Sequence, residues 1–212
     1  TTEIYTLSLH DALPISVLKQ PKNKKWRNKI RALPIAYLSS NASIDHYISN
    51  TCNTAEIVVV RFLGSRSYWS YGFEQLSLWQ LEKPNRQLIV VSGIESTAND
   101  LKDISSIKED QVDFIQLLLN EGGLNNYNYL LKVLDNLISL EEIKLERDLI
   151  EYHDDLVKWK WIDNDYPKIA IFLYKSLLQS GNTELADSIV EISKRHQINA
   201  KIIWIKIGRA HV

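Results

Sequence analysis

Two stretches of this chain gather side chains that could do chemistry. The first is Arg61–Gly72, RFLGSRSYWSYG. It lies between an apolar run that reads as a strand and a segment with helical spacing. In open α/β sheets, ligands sit just outside the carboxyl ends of the strands. Gly64 lets the backbone turn closely. Arg66 offers a planar five-donor fork to a carboxylate or amide, and Tyr68, Trp69 and Tyr71 offer flat apolar faces with polar tips. Together they suit a flat ligand bearing carboxylates. The competing reading is structural: the aromatics cover the corner between strand and helix, and Arg66 faces water. The second stretch is Tyr174–Thr183, YKSLLQSGNT, in the equivalent place of a later unit. Amides at a helix start, beside Ser180 and Asn182, could take a carboxylate or phosphate. The alternative is a simple Ser/Asn/Thr cap. Neither GxxxxGK[ST] nor GxGxxG occurs, so the chain carries no P-loop.

Other candidates are weaker. His153-Asp154-Asp155 could ligate a metal, but no further ligand lies at helical or loop spacing, and a solvated charge cluster is the simpler reading. His46 and His196 sit beside apolar helical positions, as core-edge histidines do. Cys52 follows a helix end with no histidine partner and reads as a plain thiol. Asp163-Asn164-Asp165 resembles part of a calcium loop without its glycine and terminal glutamate, and reads as a turn. Trp159 and Trp161 read as packing residues. No Ser/His/Asp triad can be argued from spacing.

The elements that must position these residues follow from apolar periodicity. Ile30–Leu38, interrupted by Pro34, suits an edge strand. Ala42–Thr51 reads as a short helix with Ile44, Tyr47 and Ile48 on one face. Glu56–Leu63 is a nearly continuous run of β-branched residues, the pattern of a strand buried on both faces of a parallel sheet. Gly64–Ser67 breaks it, and a helix with Phe73, Leu76 and Trp79 follows to about Leu81. Pro84-Asn85 ends that helix and Gln87–Val91 is the next strand, which makes a right-handed βαβ unit. Glu95–Glu109 is polar with little periodicity. Asp110–Asn120 is a helix with Val112, Ile115, Leu118 and Leu119 on one face. After Gly122-Gly123 a second helix carries Tyr127, Leu131, Leu134 and Ile138. Glu141–Asp148 reads as a charged linker or a short solvated helix. Lys168–Tyr174 is a strand and Lys175–Gly181 a loop. A helix capped by Asn182 or Thr183 follows, with Leu185, Ile189, Ile192 and His196 as its buried face. Ala200–Ile205 closes a second βαβ unit. The fold class is thus α/β, parallel βαβ units with intervening helices.

Composition sets the outer bounds. The chain has 212 residues, 45% hydrophobic and 24% charged, with a formal charge of −1. It is long enough for one or two cored domains, and its charge argues against wholesale binding to nucleic acid or an acidic membrane. The basic stretch Lys19–Lys29 has only Trp26 interleaved and reads as a surface loop. One cysteine excludes an internal disulfide and a Cys-based zinc site. No apolar run approaches the roughly 20 residues of a membrane span.

The chain has no methionine. Residues 1–15, TTEIYTLSLHDALPI, back-translate in register to the forward adapter of a short-read sequencing library. Residues 207–212, IGRAHV, back-translate to the start of the opposite adapter. Both ends are therefore expected to be library sequence, set aside as a tag would be. That removes Glu3, Asp11 and Arg209 and leaves acids and bases equal. His10 and His211 drop out with them. The expected organisation is library sequence at 1–15, a first α/β domain with a helical pair at 16–140, and a linker at 141–165. A second α/β domain starts at 166–206 and is cut short, with library sequence at 207–212. The cut second unit leaves an exposed sheet edge, from which poor solubility is expected.

Val58–Leu76, VVVRFLGSRSYWSYGFEQL, resembles the N-terminal signature of the CobN-type large subunits of cobaltochelatase. So does the pairing of Asn120–Leu131, NEGGLNNYNYLL, with Lys168–Ala186, KIAIFLYKSLLQSGNTELA. In that family the glycine pair, the asparagine matching Asn126 and an SGNT-type loop occur in this order. The resemblance covers most of Ile30–Ile205. Magnesium chelatase large subunits share the later unit but resemble the RSYWSYG block less well. The resemblance implies a cytoplasmic large subunit that holds a tetrapyrrole and inserts Co²⁺ into hydrogenobyrinic acid a,c-diamide, in aerobic cobalamin synthesis. It implies ATP hydrolysis on separate AAA+ partner subunits, which the missing P-loop suits. It also implies that catalytic residues lie beyond Lys206, so this chain alone would be inactive. Leu177 stands where relatives carry a polar or aromatic residue such as histidine, which speaks against metal contact by that loop. On this resemblance Arg66, Tyr68, Trp69 and Tyr71, with Ser180 and Asn182, are expected to face substrate. The rival classes are a magnesium chelatase subunit, an α/β small-molecule-binding module, and an interaction scaffold in which the block is buried or solvated without a cleft.

Overall fold

A parallel sheet organises the first part of the chain. The computed structural model describes residues 4–8, 26, 29–93, 99–141, 143–154, 156–162 and 164–205. The sheet's strands are β1 (Ile4–Ser8), β2 (Ile30–Pro34), β3 (Ile57–Phe62) and β4 (Gln87–Ser92), in the order β2-β1-β3-β4 with every pairing parallel. β2 is one of the two edge strands, the position where a proline such as Pro34 is tolerated. β3 and β4 are apolar at nearly every position because helices cover both faces of the sheet. Ile57, Val59, Ile89 and Val91 face one core, and Val58, Val60, Phe62, Leu88 and Val90 face the other.

Helices α1 (Asn41–Asn50) and α2 (Ser70–Leu81) pack on the second core through Ile44, Phe73, Leu76 and Trp79. Ser40 caps α1: its hydroxyl accepts from the Ser43 amide at 3.2 Å, and the Ser43 hydroxyl accepts from the Ser40 amide at 3.2 Å. Ser40→Ala should therefore cost about 1 kcal/mol. It should appear as a lower denaturation midpoint with an unchanged slope. The polar stretch after β4 contains one helical turn, α3 (Asn99–Lys102), and Leu101 and Ile104 close the same core. Residues 95–98 of that stretch lie outside the described residues, as do most of Lys19–Lys29.

On the other face lie α4 (Glu109–Glu121) and α5 (Gly123–Ser139), as the periodicity predicts. Trp26, from the connection between β1 and β2, is buried with them. The sheet is thus wound both ways. Trp26 lies with α4 and α5 on one face, and the β2–β3 and β3–β4 helices lie on the other.

Residues Ile4–Ser8, read from their codons as library sequence, form β1 between β2 and β3. Strand pairing runs through main-chain groups, so it does not report on the origin of the codons. The library origin of both ends is a proposal that sequencing from an independent template tests. Residues 1–3, 9–15 and 207–212 lie outside the described residues.

Two expectations about the middle of the chain are corrected. Glu141–Asp148 is not a free linker, and its helical content is the start of one 3₁₀ turn, Arg147–Leu149. Ile143 and Leu145 pack against the first core, Tyr129 donates its hydroxyl to the Lys144 carbonyl at 3.1 Å, and the Glu146 amide donates back to it at 3.0 Å. Leu156–Trp159, inside the expected linker, is a strand, β5. It pairs antiparallel with β7 (Asn199–Ile205), which pairs parallel with β6 (Lys168–Tyr174), in the order β5-β7-β6.

The expected loop after β6 contains a short helix, α6 (Lys175–Gln179), and α7 (Glu184–Arg195) then crosses back over the sheet. The buried face of α7 also differs from expectation. Ala186 and Ser193 are buried, and Ile189 and Val190 pack on the sheet. Leu185, Ile192 and His196 are exposed. The floor beneath α7 holds the edge-to-face indoles of Trp159 and Trp204, and small residues let the helix approach two such rings. Asp187 fixes the rotation by accepting from Trp159 Nε1 at 2.9 Å and Lys160 Nζ at 2.8 Å. Burial alone would raise its pKa, but these donors outweigh burial and hold the carboxyl below its ordinary value.

Candidate functional site at the carboxyl ends of the parallel strands

In the order β2-β1-β3-β4 the winding reverses between β1 and β3. In open α/β sheets such a switch point is where ligands bind, outside the carboxyl ends of the two strands. The RSYWSYG block begins there. Gly64 has φ +147°, a region that glycine favours, and a Cβ on it would stand 3.3 Å from the Phe62 ring and 3.4 Å from the Tyr68 ring. Arg66–Trp69 make one 3₁₀ turn before α2.

The four expected ligand-facing residues separate. Tyr68 is 82% exposed at the turn. Arg66 Nη1 pairs with Asp103 Oδ2 at 3.0 Å, with both side chains largely solvated. Such a pair contributes about 0–1 kcal/mol, so an incoming carboxylate can compete with Asp103. Tyr71 donates its hydroxyl to Asp45 Oδ1 at 2.8 Å, and this hydrogen bond is the main cause holding its phenol above its ordinary pKa. Trp69 corrects the expectation of a shared aromatic wall. It is 8% exposed, donates Nε1 to the Leu38 carbonyl at 3.1 Å, and packs edge-on to Phe73 in the core. The indole N–H finds its partner on the chain entering α1, which draws the ring inward.

The second stretch differs from its expected form. The Ser180 hydroxyl donates to the Leu177 carbonyl at 3.0 Å, and the Asn182 amide donates to the same carbonyl at 2.8 Å. The side chain of Asn182 is exposed. Thr183 occupies the N-cap position without a capping hydrogen bond, and its hydroxyl donates to Asp187 Oδ2 at 3.3 Å. Glu184 and Asp187 already place two carboxylates in the first turn of α7, which works against an incoming anion. The two expected stretches belong to different sheets.

A set of residues that sequence reasoning missed lies where the two units meet. Arg61, on the last turn of pleat in β3, donates Nη2 toward Asn120 Oδ1 at 3.5 Å, and its Nε is buried without a partner. The Asn120 carbonyl accepts from Gln179 Nε2 at 2.9 Å. His153 donates its amide to Glu121 Oε2 at 3.2 Å, and its carbonyl accepts from Lys175 Nζ at 2.7 Å. Buried Asn126 pins Glu151, two residues before His153: its side chain donates to the Glu151 carbonyl at 2.8 Å and accepts from the Glu151 amide at 2.9 Å. The signals were present as Arg61, the one charge inside β3, and as the Gly122-Gly123 pair.

His153 is tied into the junction by its backbone, and its Nε2 is buried without a partner. Asp155 and Asp163 lie outside the described residues. Among the described residues no three His, Cys, Asp or Glu side chains stand together as a metal-holding group. Cys52 is fully buried, and burial pushes its thiol up to about 12, far from a reactive thiolate. His46 contacts Asn50 Nδ2 at 3.1 Å on the surface of α1. Trp161 donates to the Ile202 carbonyl at 2.8 Å, and Asn164 Oδ1 accepts from the Tyr166 amide at 3.2 Å in a turn. No helix among the described residues is long and apolar enough to cross a membrane.

The fold defines the class: an α/β unit with a switch point in its parallel sheet, carrying a second, smaller α/β unit. No family model matches the chain. The aerobic cobaltochelatase subunit CobN of Pseudomonas aeruginosa is 29% identical over 106 residues, covering 45% of this chain and 8% of the relative. The CobN of a Sinorhizobium species is 21% identical over 221 aligned residues, covering 96% of this chain and 17% of the relative. The solved catalytic subunit of cobaltochelatase from Mycobacterium tuberculosis superposes with a TM-score of 0.72 at 19% identity, over 97% of this chain and 16% of that one. The chain is similar to CobN-type sequence over most of its length, and it spans less than a fifth of the length of the relatives it matches.

Proposed function

We propose that this chain is part of the tetrapyrrole-holding large subunit of an ATP-dependent cobalt chelatase. The observation that carries the reading is the similarity to CobN over almost the whole chain, together with the place of Arg66 and Tyr68 just beyond the carboxyl end of a strand at the switch point. In this reading the cytoplasmic complex inserts Co²⁺, its metal substrate, into hydrogenobyrinic acid a,c-diamide. ATP is hydrolysed on AAA+ partner subunits, and metal insertion is carried out by parts of the large subunit outside this chain.

The role of this chain is to bind and orient. A corrin precursor is flat and edged with carboxylate and amide arms. Arg66 can exchange its solvated partner Asp103 for one arm, and the exposed Tyr68 ring can lie against the macrocycle. Arg66→Ala in the complete subunit should weaken tetrapyrrole binding about tenfold, the scale of one charge-assisted hydrogen bond lost. Quenching of intrinsic fluorescence on titration with the tetrapyrrole measures it. Unchanged affinity with unchanged folding would leave the block a packing corner and favour the binding-module or scaffold reading. Preference for a magnesium porphyrin precursor over the corrin in the same titration would favour the magnesium chelatase reading.

A further inference from the structure

We infer that the outer edge of β6 and the uncovered face of the second sheet receive the polypeptide that follows Ile205, as one more parallel strand and its crossover helix. The two faces of this sheet are unlike. Val157, Trp159, Ile171, Leu173, Ile202 and Trp204 pack beneath α6 and α7. On the opposite face Phe172 is 59% and Tyr174 55% exposed, opposite Ile203 and Ile205 in the β6–β7 register. Trp161 covers only the far end of that face, where Lys158 and Lys201 lie against its ring at 5.0 Å each. β5 runs antiparallel, but β6 and β7 are a parallel pair, and parallel strands are characteristically covered on both faces, as they are in the first sheet of this chain.

Topology names the occupant. β7 already pairs on both sides, with β5 and with β6, so a strand following it must join at an outer edge. The connection from β6 to β7 places α6 and α7 on one face. A right-handed crossover running back past β6 must place its helix on the other, because reversing the direction of travel reverses the face. That face is the one where Phe172 and Tyr174 stand uncovered. The resulting order, β5-β7-β6-next, repeats around β6 the reversal seen around β1. The CobN-type relatives have the chain to supply it, since this chain spans only 8% and 17% of their lengths. The inference does not depend on the tetrapyrrole reading, and its test uses no substrate.

The test is a photo-cross-link in the complete native reading frame. Phe172 is replaced by p-benzoylphenylalanine, and the cross-linked peptides are mapped by mass spectrometry. The expected result is an intramolecular product within the first ~40 residues after Ile205, the span of one βαβ step. Amide exchange within β6 gives a second reading. Amides pointing away from β7 should exchange within about tenfold of those pointing toward it, because both sets would be paired. A cross-link to a second copy, to a partner subunit or to a distant segment would overturn the inference. So would outward amides exchanging about 100-fold faster, or a reading frame that stops soon after Ile205.

Discussion

Replacing Gly122 by alanine is expected to destabilise the protein by roughly 2–5 kcal/mol and to loosen the junction between its two units. Gly122 has φ 63° and ψ −159°, a backbone region essentially confined to glycine, where any side chain costs about 1–3 kcal/mol. A Cβ there would also stand 2.4 Å from the Gln179 carbonyl oxygen and 2.9 Å from its carbon, both main-chain atoms that cannot rotate away. Forcing them apart adds the cost of overpacking, about 1–3 kcal/mol. It would also break the bond from Gln179 Nε2 to the Asn120 carbonyl. Equilibrium urea unfolding of wild type and variant measures the loss. A change below about 0.5 kcal/mol would mean that the close approach of Gln179 to the glycine pair is not kept in solution.

Trp69→Ala should cost about 3–5 kcal/mol, the range for deleting a large buried aromatic. The indole fills the space between Phe62 and Phe73, and its N–H is bonded to the Leu38 carbonyl. Trp69→Phe should recover part of the packing and none of the hydrogen bond. Tyr68→Ala, one residue away but solvated, should change stability by less than about 0.5 kcal/mol. Thermal melts of the three variants decide between a core tryptophan and a ligand-facing one. If Trp69→Ala melted like wild type, the ring would be free to face a ligand after all.

These two residues mark the boundary between local and tertiary information. The Gly122-Gly123 pair was read as a helix end, and it is one. Its second task, admitting the Gln179 backbone, depends on a segment 57 positions later and leaves no local mark. Trp69 followed a strand end among exposed-looking polar neighbours, the pattern of a ligand-facing loop. Its direction was set by the Leu38 carbonyl, a partner 31 residues away. Arg66 and Tyr68 remain at the switch point because nothing nearby offers them a buried partner.

By itself the sequence determined the alternation of strand and helix. β3 and β4 are apolar on both faces, so they had to be strands of a sheet covered on both sides. α4 and α5 carry apolar stripes of helical period, so they had to lie on a sheet. Those are local patterns, repeated every two or every three to four residues. Strand order, the place of Ile4–Ser8 between β2 and β3, and the pairing of Leu156–Trp159 with β7 were decided only in three dimensions. So were the rotation of α7 over its two indoles and the docking of Ile143 and Leu145. Each depends on which surface remains free once the neighbouring elements are in place, and the free energy of such contacts belongs to the pair and not to either segment.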